Sequence, residues 1–268
     1  MDKFLEKYIF NEIDFQALPA KKIFYFFSFA ALFLSIFFGP RLQPDSTTYI
    51  EMLPSRSPVY PIILNFFKAI SDSYFMNLVI FTQFLFWFFS VLFFIKTISQ
   101  IMKLNILGLI LLFIIFVVPS FYFSPIILTE SFAFSLTLII TSLILREGSG
   151  FGGSLPKFLF FIILCLMKPQ MLFLSGVFFF IIIRNIFNKK IKNGITTFCL
   201  LLSSLIIINL SNKSYHLIMH NNFQSDTNLI QQFVAMPFYM TDPDSNNLFL
   251  NKPDYKEFFF TLSENLKK

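Results

Sequence analysis

One polar stretch near the start of the chain, PDSTTYIEMLPSRSPVYPIIL (44–64), gathers side chains that could do chemistry. Its ionisable and phenolic members are Asp45, Tyr49, Glu51, Arg56 and Tyr60. Asp45 lies between a proline and Ser-Thr-Thr, a context typical of a helix N-cap. A capping role would hold this carboxylate rigidly, so it remains compatible with catalysis. Tyr49 is four residues further on, so the two side chains share one face of a helix.

Two more ionisable residues stand beside or within apolar segments. Glu130 follows ILT, four residues into a predicted helix, and Lys168 stands where KPQ interrupts a long apolar run. Ionisable groups at membrane depth are costly and usually functional. The alternative is that both side chains reach the headgroups and have no such role.

The composition indicates a membrane protein. Hydrophobic residues make up 56% of the 268 and charged residues only 13%, whereas soluble domains carry about 25% charged residues. The net charge of +6 does not indicate nucleic acid as a partner. The basic residues stand beside apolar runs, where they set the orientation of the chain in the membrane.

The elements that must position these side chains are apolar helices, since about 20 apolar residues cross a bilayer. We predict an all-α, polytopic integral membrane protein with about seven hydrophobic helices. These are Ile23–Phe38, Tyr74–Ile95, Leu104–Val118, Ile126–Leu145, Phe158–Met167, Met171–Ile183 and Ile195–Leu210. The shorter segment Tyr60–Ile70 is predicted to be an interfacial helix in the first outer loop, 40–73.

The distribution of basic residues favours a hairpin of two short helices over one kinked helix at 158–183. With a hairpin, the run RNIFNKKIKN (184–193) lies on the same side of the membrane as most other basic residues: Lys21, Lys22, Lys96, Lys103, Arg146 and Lys157. Positive residues in short loops favour the cytoplasm. We therefore predict an inner-membrane domain, 1–210, with a cytoplasmic N-terminus. The first loop and a polar C-terminal tail, 211–268, then lie on the outer face.

Three motifs in this order resemble GT-C type membrane glycosyltransferases, in particular the bacterial branch of protein mannosyltransferases and aminoarabinose transferases. The first motif, D-S-x-x-Y followed by R-x-P-x-Y-P, comprises Asp45, Ser46, Tyr49, Arg56, Pro58, Tyr60 and Pro61. The second is LTESFAFSLTLI around Glu130, and the third is LMKPQ around Lys168. The resemblance covers residues 20–190. Family members are usually longer, and Val59 stands where glycine is common.

The resemblance implies transfer of a sugar from a polyprenyl-phosphate carrier to a glycan or lipid acceptor on the outer face. Asp45 corresponds to the family's catalytic aspartate, which acts as general base in an inverting displacement. Arg56 and Lys168 would stabilise the phosphate leaving group, and Tyr49, Tyr60 and Glu130 would complete the substrate site. Some relatives use a divalent cation, Mg²⁺ or Mn²⁺, for which Asp45 with Glu51 or Glu130 could supply oxygen ligands.

Two other classes of protein fit the same features. One is a polysaccharide polymerase-like or transport protein that handles undecaprenyl-linked sugars. Transporters are built from paired repeats with broken helices in both halves, and only one break is visible here. The other is a truncated, non-catalytic relative that keeps the membrane domain alone.

Overall fold

The structure, a computed structural model, describes the part of the chain that holds the predicted site. The residues described are 18–54, 56–102, 107–108, 110–112, 114–116, 125–146, 150–221 and 223. The chain divides into two compact units, Met1–Ser225 and Asp226–Lys268, and the second unit lies outside the described residues. The described part is mostly helical and contains no strand, which confirms the all-α prediction.

The described part of the chain contains eight α-helices and one 3₁₀ helix with defined bounds. They are α1 (Leu18–Phe38), α2 (Pro44–Ile50), α3 (Val59–Ile70), α4 (Phe75–Ile101), α5 (Glu130–Leu145), α6 (Gly150–Met167), the 3₁₀ helix (Pro169–Leu174), α7 (Ser175–Phe187) and α8 (Ile191–His220). The described residues between 107 and 116 are also helical. The remainder of the predicted helix Leu104–Val118 lies outside the described residues.

Among the described residues, three helical segments are long and apolar enough to cross a membrane: α4, the 3₁₀ helix together with α7, and α8. Shorter apolar helices occupy Tyr25–Phe38, Val59–Ile70, Glu130–Leu145 and Gly152–Met167. Phe37 on α1 and Phe180 and Phe187 on α7 are more than two-thirds exposed. An apolar surface of this kind is unfavourable in water and suits contact with lipid. These features are those of a membrane protein.

The chain reverses direction between α6 and α7. The rings of Phe158 and Phe178 stack with their centroids 4.5 Å apart, although a continuous helix would separate these positions by about 30 Å. The reversal starts at Lys168, whose extended backbone (φ −142°, ψ 93°) precedes Pro169, because a residue before proline avoids the helical region. The predicted hairpin is therefore present. Its second arm is longer than predicted because it starts with the 3₁₀ helix and ends at Phe187.

Helices α4 and α5 lie side by side and run in the same direction. Near one end, the Gln83 side chain bonds the Leu128 carbonyl, just before α5. Near the other end, Arg146, just after α5, bonds Thr97 on α4. The two contacts are separated by about 20 Å along α4, at 1.5 Å per residue. We call these the Gln83 end and the Arg146 end of the α4–α5 pair.

A short backbone pairing ties the chain after α1 to the chain before α5. Gly39 ends α1 with φ +73°, a conformation that glycine adopts without strain. Arg41 then donates its N–H to the Pro125 carbonyl at 2.7 Å and accepts from the Ile127 N–H at 3.2 Å. This pairing is the reason that α5 begins at Glu130 and not at the predicted Ile126.

The last helix is longer than its predicted span, Ile195–Leu210. It starts at Ile191 and continues to His220, so residues 211–220, assigned above to the tail, are helical. Asn221 ends the helix in the left-handed conformation, with φ 53°, which asparagine tolerates better than most residues. Nearly all of the remaining tail lies outside the described residues.

Candidate functional site

Asp45 lies in the first turn of α2 and does not cap it. Gln43 is the N-cap residue: its N–H donates to the Ser46 hydroxyl at 2.8 Å, and its carbonyl accepts from the Ser46 N–H. The predicted capping role of Asp45 is therefore wrong. The helix starts two residues earlier than that role requires, at Pro44, which is a favourable first helical residue. The Asp45 carboxylate is left to point outward from the helix.

Arg56 lies in the loop that follows α2 and folds back to contact three side chains of that helix. We call this set of contacts the clasp on α2. Its Nη2 donates to Asp45 Oδ1 at 2.7 Å, and its Nε donates to the Thr48 hydroxyl at 2.7 Å. The guanidinium carbon lies 4.5 Å from the centroid of the Tyr49 ring. Asp45 and Tyr49 therefore share the face that their spacing predicts. The Arg56 side chain is 13% exposed and that of Asp45 is 65% exposed, so the pair presents its carboxylate to the surroundings.

Tyr60 connects this clasp to the interior. Its ring meets that of Tyr49 edge-on, with centroids 5.2 Å apart, and its hydroxyl accepts a hydrogen bond from Gln83 Nε2 at 3.2 Å. The side chain is 0% exposed. Burial raises the pKa of Tyr60 well above its usual range, with smaller contributions from Tyr49 and the charge of Glu130. Tyr60 is thus a neutral, packed side chain that supports the loop.

Glu130 and Lys168 form the second ion pair. Lys168 Nζ donates to Glu130 Oε1 at 2.8 Å, and the Thr129 hydroxyl donates to Glu130 Oε2 at 3.3 Å. The Glu130 side chain is 35% exposed and that of Lys168 is 24% exposed. Glu130 is the first residue of α5, where a carboxylate is favoured by the helix dipole. The prediction that it lies four residues inside its helix is wrong.

Both ion pairs belong to the Gln83 end of the α4–α5 pair. Contacts run from Arg56 through Tyr49 and Tyr60 to Gln83, whose side chain also bonds the Leu128 carbonyl at 3.1 Å. Leu128 stands two residues before Glu130. The six predicted site residues, Asp45, Tyr49, Arg56, Tyr60, Glu130 and Lys168, therefore lie along one path, which consists of these contacts and of the backbone from Leu128 to Glu130.

Glu51 does not join this path as a metal ligand. It is exposed at the C-terminal end of α2, about 9 Å further along the helix axis than Asp45. No group of three or more His, Cys, Asp or Glu side chains that could hold a metal occurs among the described residues. The Asp45 carboxylate is instead bonded to Arg56. The residues at this site do not fit the predicted divalent cation.

Gln83 is the site residue that the sequence interpretation missed. It is fully buried in α4 and donates to Tyr60 and to the Leu128 carbonyl. The signal that could have identified it is a single amide, FTQFLFW, in the middle of an apolar helix. Buried polar groups in membrane helices usually bond a neighbouring helix. Thr48, which orients Arg56, carries no comparable signal because hydroxyls are frequent in loops.

Comparison of the chain with known proteins finds no matching family model, no similar curated protein and no similar solved structure. The resemblance to GT-C type glycosyltransferases therefore rests on the motifs in this sequence.

Proposed function

We propose that the chain is an inner-membrane glycosyltransferase that moves a sugar from a polyprenyl-phosphate carrier to a glycan or lipid acceptor on the outer face. The observation that carries this proposal is the pairing of Asp45 with Arg56 and of Glu130 with Lys168 at one end of the helices. Three separate sequence motifs supply these four residues. A catalytic site for two charged substrates needs such groups close together.

Asp45 is the general base in this proposal. Its carboxylate takes the proton of the acceptor hydroxyl while the hydroxyl oxygen attacks the anomeric carbon of the sugar. The bond between that carbon and the carrier phosphate breaks at the same time, and the lipid phosphate leaves with the electron pair. A single displacement inverts the anomeric centre. The exposure of Asp45, at 65%, supports access of an acceptor.

The two cations have different tasks. Arg56 already uses its Nε and Nη2 on Thr48 and Asp45, so it positions the base and contributes its charge. Lys168 has three N–H donors, and Glu130 accepts from it at 2.8 Å. Lys168 can therefore bond a phosphate oxygen while it keeps Glu130. We assign Lys168 to stabilisation of the departing lipid phosphate.

The proposed topology places the N-terminus in the cytoplasm and the first loop and the tail outside, with about seven apolar helices in or on the membrane. The α6–α7 reversal supports this arrangement because it lets Lys168 meet Glu130 at the end that carries the first loop. The contact of Arg146 with α4 near Lys96 supports a common, cytoplasmic side for these basic residues.

A glycan analysis of the cell envelope tests the function in the organism. Removal of the gene should delete or shorten one envelope glycan or lipid-linked glycan. The wild-type gene should restore it, and the Asp45→Asn variant, at equal abundance in the membrane, should not. If the Asp45→Asn variant restored the wild-type glycan profile, Asp45 would not be catalytic. The non-catalytic membrane protein would then be the better description.

A further inference from the structure

The turn between α7 and α8 carries a compact group of lysines that the proposed reaction does not use. Lys189 and Lys190 connect the two helices, and Lys192 lies in the first turn of α8. All three residues are exposed. The 3₁₀ helix and α7 together comprise 19 residues, which extend about 30 Å. The hydrocarbon core of a bilayer has the same thickness, so the turn reaches the membrane boundary opposite Lys168.

The backbone of this turn is closed by hydrogen bonds. The Lys189 N–H donates to the Ile186 carbonyl at 3.0 Å, and the Lys190 N–H donates to the Asn185 carbonyl at 2.8 Å. These are the two bonds of a Schellman motif, in which the residue after the helix has a positive φ. That residue is Lys189, with φ 57°, although glycine adopts this conformation at lower cost. The turn therefore holds its lysines close together, and one of them occupies a position that suits glycine.

The chain around the turn supplies no negative charge to balance these lysines. The sequence contains no Asp or Glu between Glu147 and Asp226, a stretch that includes α6, the 3₁₀ helix, α7 and α8. None of the ion pairs formed by described residues involves Lys189, Lys190 or Lys192. Like charges held this close repel one another, and an anion that approaches the turn is attracted to it.

Exposed apolar side chains flank the lysines. Phe187 is 82% exposed, and Ile186, Ile191 and Ile195 are each more than half exposed. Apolar and basic side chains side by side are typical of the boundary between hydrocarbon and headgroups, where the apolar groups contact acyl chains and the ammonium groups reach the phosphates. A soluble anion would contact the lysines alone, whereas a phospholipid contacts both kinds of side chain.

We propose that residues 187–192, which we call the lysine turn, bind anionic phospholipids at the membrane face opposite Lys168. The lipid phosphates contact Lys189, Lys190 and Lys192, and the acyl chains contact Phe187. A lysine near an anionic membrane surface strengthens binding by about fivefold. The proposal requires only that the chain lies in a membrane, so it is independent of the proposed sugar transfer.

A simpler role for these lysines is to set the orientation of the chain during insertion. That role needs the charges only while the helices enter the membrane. The inserted protein would then show no preference among lipids. Equilibrium binding of lipids to the inserted protein therefore separates the two roles.

The test measures lipid binding by the full chain in nanodiscs. Native mass spectrometry counts the phosphatidylglycerol and phosphatidylcholine molecules retained from discs that contain both lipids in equal amounts and with the same acyl chains. Thermal unfolding gives the Tm in phosphatidylcholine discs, in mixed discs, and in phosphatidylcholine discs with inorganic phosphate, against sodium chloride at matched ionic strength. The variants are a triple substitution (Lys189→Gln, Lys190→Gln and Lys192→Gln), Lys189→Gly, and Lys68→Gln as a control, since Lys68 is a lysine with a carboxylate partner, Asp72.

The wild type and Lys68→Gln should retain phosphatidylglycerol in preference to phosphatidylcholine, and phosphatidylglycerol should raise the Tm of both. The affinity of the triple variant for phosphatidylglycerol should fall about 100-fold, since each of three lysines contributes about fivefold. Inorganic phosphate should leave the Tm unchanged. An equal preference for phosphatidylglycerol in the wild type and the triple variant, or a response to phosphate as large as that to the lipid, would overturn the proposal.

Lys189→Gly separates a loss of binding from a loss of folding, and it decides the matter if the triple variant does not fold. Glycine suits the positive φ at this position, so the variant should be at least as stable as the wild type in phosphatidylcholine discs. Its affinity for phosphatidylglycerol should nevertheless fall about fivefold. If Lys189→Gly bound phosphatidylglycerol as tightly as the wild type, the lysine turn would not be the binding surface.

Discussion

The two ends of the α4–α5 pair use positive charge in different ways. At the Gln83 end, Arg56 and Lys168 each contact a carboxylate of this chain, Asp45 and Glu130. At the Arg146 end, the guanidinium contacts a hydroxyl and an aromatic ring. The first arrangement balances its own charge and holds a carboxylate in place, as a site for proton transfer requires. The second orients a guanidinium without a carboxylate from the described residues.

The difference also predicts how the two ends respond to substitution. Removal of one partner from an ion pair leaves an uncompensated charge, and removal of the second partner relieves it. At the Arg146 end, no described carboxylate plays this compensating part. At the Gln83 end, the effect of substitution should decrease from Asp45 through Lys168 and Arg56 to Gln83.

Asp45→Asn should have the largest effect on activity. The amide keeps the shape of the side chain and cannot accept the proton, so transfer should fall by about 100-fold or more. Asp72→Asn is the matched control, because Asp72 is another exposed carboxylate of the same loop, 3.9 Å from Lys68. Rates from a radiolabelled polyprenyl-phosphate sugar in isolated membranes measure both. A wild-type rate of sugar transfer in Asp45→Asn would mean that the carboxylate at the Gln83 end has no part in proton transfer.

Lys168→Gln and Glu130→Gln test the second ion pair through a double-mutant cycle. Lys168→Gln should reduce transfer by about 100-fold because it removes a charge near the leaving group. Each single change should cost about 1 kcal/mol of stability, a modest value because both side chains are partly exposed. The double variant should lose less stability than the sum of the two single losses and remain inactive. Simple additivity of the two stability losses would show that the pair is uncoupled.

Arg56→Lys should weaken the clasp on α2 while it keeps the positive charge. The guanidinium bonds Asp45 and Thr48 through two N–H groups that lie in one plane. An ammonium lacks this planar arrangement of donors. We expect about a tenfold fall in the turnover rate, with a smaller change in KM, because Asp45 is less well oriented. Arg41→Lys, at an exposed arginine 5.9 Å from the Phe38 ring, is the control. Equal effects of the two substitutions would contradict a positioning role for Arg56.

Gln83→Leu should have the smallest effect of the four and act mainly on stability. It removes the bonds to Tyr60 and to the Leu128 carbonyl, which in membrane proteins are worth about 1 kcal/mol together. Thr82→Val is the control, since the Thr82 hydroxyl bonds only its own helix, at Leu78. Thermal unfolding in nanodiscs compares them. A Gln83→Leu protein as stable as the wild type would show that the hydrogen bonds of Gln83 to Tyr60 and Leu128 do not contribute to stability.

The sequence predicts the longest apolar helices and misplaces some of their ends. Runs of Phe, Ile and Leu without charges are sufficient to identify α4 and α8, because their length and composition leave few alternatives. The start of α5 depends on a pairing of Arg41 with residues 125–127, more than eighty positions away in sequence. Local propensity contains no information about such a contact. The end of α8 was misplaced because Ser211, Asn212 and Lys213 resemble the start of a polar tail.

The candidate site was predicted as a set of residue types and not as a set of partners. Motif order and the hairpin were enough to bring Glu130 and Lys168 to one end. The partner of Asp45 was not predicted, because the local sequence around Pro44 favours a cap and Arg56 returns from a separate loop. Gln83 was missed because a single amide in a helix gains meaning only when its neighbours across the helix packing are known.

Consumption of a polyprenyl-phosphate-linked sugar is measured by supplying that donor to the purified protein. The full chain in nanodiscs is incubated with a panel of polyprenyl-phosphate hexoses and pentoses, each labelled in the sugar, and with a membrane-lipid extract as acceptor. At least one donor should lose its sugar to a new product in the wild type and not in Asp45→Asn. Consumption of no donor above the Asp45→Asn background would contradict the proposed sugar transfer.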